Sequence, residues 1–495
     1  MRVWLPQWDA SLVQASERGE TVSVLIKDGR VITAVDDYPA DILIEGESIS
    51  AIGASLEVSV DRIIDAAGKY VIPGAVDPHT HMEMPFGGTV TCDDFTSGTV
   101  SAAFGGTTSL IDFCLQAPGQ SIPDALATWH EKIERCPPVI DVGFHMAITD
   151  LHDGGRLEDV AQVPDQGVTS YKLFMAYKGA IMVDDETLFR TMQVAARTGA
   201  LVMVHAENGD AIAVLVKQAR AEGKTEPRWH AATRPPITEG EATGRAIKLG
   251  RLAGCPLYVV HVSCGEAIEP VAAARAAGWR SWGETCTQYL FIDERRLEEP
   301  DFAGAKYVYT PPPRPAHNQE LLWRALQTGV LSVVSTDHCP FRWRDQKTLG
   351  RDDFSKIPNG GPGIENRLHM LHHFGVREGR LTMNKMVDLC CTQPARLFGL
   401  FPRKGTIAVG TDADVVVWDP EKPLTISAAT HHSNIDYNLF EGTEVVGAPE
   451  VVLVRGQIVV EGDELVAAPG TGRFVRRARF GQKLPLAPEA GLAAA

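Results

Sequence analysis

The chain has 495 residues, 44% of them hydrophobic and 22% charged, with 47 lysines and arginines against 63 aspartates and glutamates. That balance is ordinary for a globular protein and excludes a largely disordered chain, while a net charge of −16 argues against a nucleic-acid binder, which needs a basic face. The length suits about three domains, or equally one large barrel with a smaller partner.

No apolar run approaches the length of a membrane span, so no membrane association is expected. The first 20 residues carry little pattern and read as a loose extension without a secretory signal. Nine cysteines are scattered with no CxxC pair, which reads as free thiols in a reducing cytoplasm.

From Thr21 the chain runs TVSVLIKDGRVI, ADILIEGESISAIG and DRIIDAAGKYVIPG. These are short β-rich runs broken by Asp-Gly and Glu-Gly turns, the pattern of antiparallel hairpins. The far end repeats the texture in KGTIAVGTDADVVVWDP and VVLVRGQIVVEGDELV. Neither end has much core of its own, and packing them together solves that problem. Residues 21–74 and 404–470 are therefore expected to form one composite β-sandwich domain. Residues 75–403 are expected to form the larger, central domain, followed by a tail over 471–495.

The middle of the chain carries eight apolar, β-branched runs: 74–81, 107–113, 139–148, 170–176, 201–207, 256–263, 279–286 and 330–338. Segments with helical spacing lie between them, such as DALATWHEKIER and DETLFRTMQVAARTG. Strand and helix in alternation imply parallel βαβ units, and eight of them predict an α/β fold built as a (β/α)8 barrel. An open doubly wound sheet is the alternative.

In such a barrel the C-terminal strand ends form the active-site face. The first strand ends in Asp77-Pro-His79-Thr-His81, the fifth in His205, the sixth in His261 and the eighth in Asp337-His338, while the fourth carries Lys172 in an apolar run. His79 and His81, two apart on a strand, share a face. Two neutral imidazoles make a metal pincer, and with His205, His261 and Asp337 at equivalent strand ends the cluster reads as a metal site. Strand alternation points Lys172 into the barrel. Burial and neighbouring cations lower an amine's pKa. A neutral amine can take up CO₂ as a carbamate, whose two oxygens suit it to bridge two metal ions. Cys339, Cys390 and Cys391 read as packed bystanders.

DPHTHMEMPFGGT, YKLFMAYKG, VHAEN, VHVSC, ETCTQYL, STDHCPF, IPNGGPGIENR and HHSNIDYNLFEG resemble the dihydropyrimidinase/hydantoinase family, cyclic amidases of the amidohydrolase superfamily. The resemblance runs from about Val24 to about Gly481, with the motifs in the family's order. It implies a TIM-like barrel flanked by a β-sandwich from both chain ends, and a site with two divalent ions, zinc first and manganese or another ion as alternatives. Carried onto this chain, His79, His81 and Asp337 hold one ion and His205 and His261 the other. Lys172, as N6-carboxylysine, bridges them together with a hydroxide.

The implied reaction is hydrolysis of a ring amide to an N-carbamoyl amino acid. Asp337 moves the proton to the leaving nitrogen, and Tyr177 steadies the oxyanion. Thr310 and Asn359 match the family residues that hold the substrate amide, although Thr310 stands where the family commonly has Ser. Met82, Phe174 and Ile181 match positions that wall the substituent. Glu83 occupies a position where dihydroorotases carry an Arg, and it would repel an anion. The resemblance further implies a cytoplasmic homotetramer in pyrimidine catabolism, acting on a small cyclic amide or ureide. The alternatives are an allantoinase and a non-catalytic dihydropyrimidinase-like interaction protein of the collapsin response mediator kind.

Overall fold

The computed structural model describes residues 22–151 and 156–486. The expected N-terminal extension lies outside them, as do residue 21 and the end of the 471–495 tail. The N-terminal end forms β1 (Ser23–Ile32), β2 (Asp37–Glu45), β3 (Ser48–Gly53), β4 (Arg62–Asp65) and β5 (Tyr70–Pro73). The middle forms β6 (Ala75–Thr80), a small hairpin of β7 (Pro85–Phe86) and β8 (Thr89–Val90), then β9 (Thr107–Leu115), β10 (Asp141–Ala147), β11 (Ser170–Phe174), β12 (Leu201–His205), β13 (Leu257–Val259), β14 (Ser281–Cys286) and β15 (Val333–Ser335). The C-terminal end adds β16 (Val415–Thr425), β17 (Glu444–Val454), β18 (Gln457–Glu461) and β19 (Glu464–Leu465).

The eight expected barrel strands all form. They run β6-β9-β10-β11-β12-β13-β14-β15, each parallel to its neighbour. Every residue of β9, β10, β11 and β12 is buried, which is why these runs read as continuous rather than alternating apolar sequence. Between them, helix Asp185–Thr198 starts where the Asp184 carboxylate accepts the Thr187 N–H and stops at Gly199, which is left-handed with φ of 72°.

The barrel closes without a full ladder between β15 and β6. Thr80 and His338 form an isolated parallel bridge, and the His81 N–H donates to the His338 carbonyl at 2.8 Å. Deeper in the seam the buried guanidinium of Arg367 donates to the carbonyls of Val76 at 3.0 Å and Val334 at 3.1 Å. Ile111, Phe113, Met203, Tyr258 and Val260 share the interior core with Phe398 and Val475. Residues 475–480 run under the N-terminal strand ends, where the Val475, Arg477 and Phe480 N–H groups donate to the carbonyls of Val142, Gly167 and Gly199.

The two chain ends meet in one nine-stranded sheet, ordered β19-β18-β17-β16-β5-β1-β2-β3 with β4 also on β1. β1 to β3 are antiparallel hairpins, as their turns predict. β4 and β5 depart from that expectation, for both run parallel to β1. A tight turn fixes only the strand that directly follows it, and residues 54–61 carry the chain back across β1 before β4 begins. The ends join where β5 pairs antiparallel with β16. Val24, Ile26, Ile42 and Ile44 from one end then share a core with Val415, Val417 and Leu453 from the other. Among the described residues no helix is long and apolar enough to cross a membrane.

Candidate active site

The strand ends deliver the candidate ligands to one cavity at the C-terminal mouth of the barrel. His79, His81, Lys172, His205, His261 and Asp337 all line it, together with Phe174, Tyr177, Ile181, Thr310 and Asn359. All six candidate ligands are buried. Lys172 points inward because its neighbour Tyr171 faces out, donating its hydroxyl to the Val160 carbonyl at 2.7 Å. The Lys172 Nζ lies 4.9 Å from the ring centre of Phe113, an interior residue, and 5.2 Å from that of Phe174.

Hydrogen bonds behind the imidazoles orient them. His79 Nδ1 donates to Glu284 Oε1 at 2.5 Å, and the Tyr258 hydroxyl donates to Glu284 Oε2 at 2.9 Å. That leaves His79 Nε2 facing the cavity, 3.1 Å from Asp337 Oδ1, and His81 Nε2 lies 3.1 Å from the same oxygen. His205 Nε2 donates to Glu207 Oε2 at 2.8 Å, which leaves its other nitrogen for the cavity. The rings of His205 and His261 are 4.6 Å apart.

The donor set fits divalent metal ions. His79, His81 and Asp337 bring ligand atoms within 4.8 Å of one another, and the buried Nδ1 of His81 has no hydrogen-bond partner. Imidazole nitrogens with a carboxylate oxygen suit zinc and its first-row neighbours. His79, Glu284 and Cys286 also bring ligand atoms within 4.8 Å of one another. There, however, Glu284 already holds the imidazole, and burial keeps the Cys286 thiol well above its usual pKa.

Electrostatics divide the cluster. Burial lowers the His79 pKa, but Asp337 and Glu284 outweigh it and carry the imidazole up to about 9. Burial holds His81 at about 4. The two rings share one carboxylate oxygen, so they compete for it and their pKa values are driven apart. Burial opposes ionisation of Asp337, yet His79 and His81 keep its pKa well below the usual carboxylate range. Burial draws the Lys172 amine down to about 7, against Asp337 and Glu284. Burial also raises Tyr177, opposed by the facing Thr310 and Asn359 side chains, so its hydroxyl stays protonated at neutral pH. Tyr177, His261 and Asp337 have φ of 68°, 41° and 50°. Such left-handed non-glycine backbone is strained and persists where surrounding contacts enforce it.

Two sequence expectations meet a different geometry. Met82 is buried beneath the wall, with its sulfur against Gly98, and does not line the cavity; Met84 and Phe86 do. The period of two along β6 breaks after Thr80, where the chain leaves the strand for the β7–β8 hairpin. Glu83, read as a charge facing the substrate, turns to Arg135 at 2.6 Å instead. Cys339 is buried, as expected of a bystander thiol, and burial raises its pKa well above the usual value, although it also forms part of the cavity lining. Glu207 and Glu284 were not singled out from the sequence. Their signal was a carboxylate at or beside the end of a buried strand, the same kind of signal that exposed Lys172.

The description "Amidohydrolase family" belongs to the family model that matches residues 70–459. The chain is 54% identical over 457 residues to a D-hydantoinase of Geobacillus stearothermophilus, covering 92% of this chain and 97% of that one. It is 42% identical to a dihydropyrimidinase of Arabidopsis thaliana, covering 92% of this chain and 86% of the relative. The crystal structure of dihydropyrimidinase from Brevibacillus agri superposes with a TM-score of 0.91 at 54% identity, over 93% of this chain and 100% of that one.

Proposed function

This chain belongs to the amidohydrolase family, and from that premise we propose that it opens the ring amide of hydantoins and dihydropyrimidines to N-carbamoyl amino acids. The observation that carries the reading is the meeting of four histidines, Lys172 and Asp337 with Tyr177, Thr310 and Asn359 around one buried cavity. Two divalent ions, zinc first and manganese as an alternative, are assigned to His79, His81 and Asp337 and to His205 and His261. Lys172 would join them as a carbamate, and its lowered pKa supports that role, since a neutral amine is the form that takes up CO₂. When bound, such ions polarise a carbonyl and supply water ionised near neutral pH.

The protein's own groups do the rest. Asp337 accepts the proton of the attacking water and hands it to the leaving ring nitrogen. The Tyr177 hydroxyl donates to the carbonyl oxygen as it gains charge. Main-chain groups at Thr310 and Asn359 hold the ring amide, and Phe174, Ile181, Met84 and Phe86 form an apolar wall for the ring substituent. In this reading residues 21–74 with 404–470 form the accessory β domain and 75–403 the catalytic one. The working form is a cytoplasmic homotetramer; of the 471–495 tail, expected at its contacts, residues 475–480 pack under this chain's own barrel. Purified protein offered dihydrouracil, hydantoin, 5-phenylhydantoin and allantoin tests the reading. Opening of hydantoin or dihydrouracil is expected; cleavage of allantoin alone, or of none, would remove it.

A further inference from the structure

Lys347 is fully buried, yet it has no part in the chemistry above. It opens the short 3-10 turn Lys347–Gly350. Its Nζ donates to three main-chain oxygens, those of Val308 at 2.7 Å, Pro358 at 2.7 Å and Gly360 at 2.6 Å. An ammonium has three donors and no acceptor, so three carbonyls use it completely. Burial lowers its pKa, but the three carbonyls can all be satisfied only by the protonated form, so the geometry holds the charge against that pull. A buried cation without a carboxylate is unfavourable and calls for a reason.

The three carbonyls belong to the segments that would receive the substrate. Val308 precedes Thr310 by two residues, and Asn359 sits between Pro358 and Gly360; Thr310, Asn359 and Gly360 all line the cavity. The Val308 carbonyl also accepts the Gly360 N–H at 3.0 Å, so the two segments are tied at a shared point. The carbonyls on either side of Asn359 are gathered to Nζ, and the Asn359 carbonyl itself accepts the Cys339 thiol at 3.7 Å, with both residues lining the cavity. Gly360 has φ of 152°, and a Cβ there would meet the Cys339 carbonyl oxygen at 2.2 Å. The neighbouring Gln346 holds the opposite lip, its amide nitrogen donating to Thr89 Oγ1 at 2.8 Å in the hairpin that carries Phe86.

We propose that Lys347 is a positioning residue, whose ammonium gathers the Val308, Pro358 and Gly360 carbonyls and so sets the main chain of Thr310 and Asn359 to the spacing of a planar ring amide. The proposal rests on the cyclic-amide reading of the cavity. Lys347→Met keeps the stem and removes every donor. Lys347→Arg keeps the charge but cannot aim three donors from one atom. In Lys347→Met, KM for hydantoin and dihydrouracil is expected to rise about tenfold or more, with metal content and kcat near wild type. Lys347→Arg is expected to recover part of the loss. A folded Lys347→Met with wild-type KM overturns the proposal, as does a fall in kcat at constant KM that follows the loss of folded protein. If Lys347→Met does not fold, Lys347→Arg is read by the same rule; if neither folds, the role is structural and the proposal falls. Wild-type protein inactive on both rings would instead remove the reading beneath it, and the proposal with it.

Discussion

Lys172 and Lys404 are each about 1% exposed, yet they sit in opposite surroundings. Lys404 lies where the barrel floor meets the terminal sheet, with its Nζ 2.8 Å from Asp141, 2.6 Å from Asp414 and 3.3 Å from Asp412. Burial alone would lower its pKa, but the three carboxylates outweigh it and raise it above the usual lysine value. Lys172 at the barrel mouth makes no ion pair among the described residues, its neighbours being the rings of Phe113 and Phe174. Its pKa falls to about 7. Burial is the same in both places, and the local carboxylates decide whether an amine becomes a permanent cation or a group open to chemistry.

The contrast can be broken most sharply at the mouth. Lys172→Ala is expected to lower turnover by about 10³-fold or more, with loss of bound metal and a circular-dichroism spectrum like wild type. Retained metal and near-normal turnover would place Lys172 with Lys404, as a structural residue. At the floor the readout reverses. Lys404→Met leaves Asp141, Asp412 and Asp414 short of a counter-charge and is expected to destabilise the fold by about 3–5 kcal/mol in denaturant titration, with activity per folded molecule unchanged.

Tyr177→Phe separates chemistry from packing within the mouth itself. A drop in kcat of about 10²-fold, with metal content and stability retained, is the expected result for a lost oxyanion donor. A loss of metal would reassign the hydroxyl to site assembly.

The smallest effect is one of pH. Asp141 has a depressed pKa, despite burial, because Lys404 and Arg455 face it. A depressed carboxyl contributes stability above its unfolded pKa of about 4 and loses it as pH falls through the folded value. Lys404, with a raised pKa, contributes below its unfolded value of about 10.5 and loses that only as pH rises through the folded one. The Asp141–Lys404 part of the cluster should therefore hold between about pH 5 and 9 and be lost below about pH 4, while Asp414, whose pKa burial raises, offsets some of it as pH rises through that raised value. Wild type and Lys404→Met compared by thermal melts across that range would show it. An increment that varies within the plateau would mean the cluster titrates in the working range.

The two regions were not equally legible in the sequence. The mouth was readable because each candidate ligand interrupts or ends an apolar strand, so Lys172, His205 and Asp337 stood out against Tyr171, Val204 and Val334. The floor was not, because its charges come together only by folding. Asp141 and Arg455 are 314 residues apart, and in isolation each reads as an ordinary surface charge. The same limit hid the parallel pairing of β4 with β1, which no local turn encodes. At the mouth it hid Met84 and Phe86, which enter from a hairpin rather than a barrel strand.

The pairing of β5 with β16 also governs how the protein can be made. A ribosome emits β1 to β5 long before residue 415, and until then one edge of β5 has no strand to lie against. The floor waits longer, since it takes main-chain bonds from Val475, Arg477, Phe480 and, later still, Leu484. Synthesis is thus nearly finished before either end of the chain can settle, and the nascent polypeptide carries open, apolar strand edges through most of its emergence.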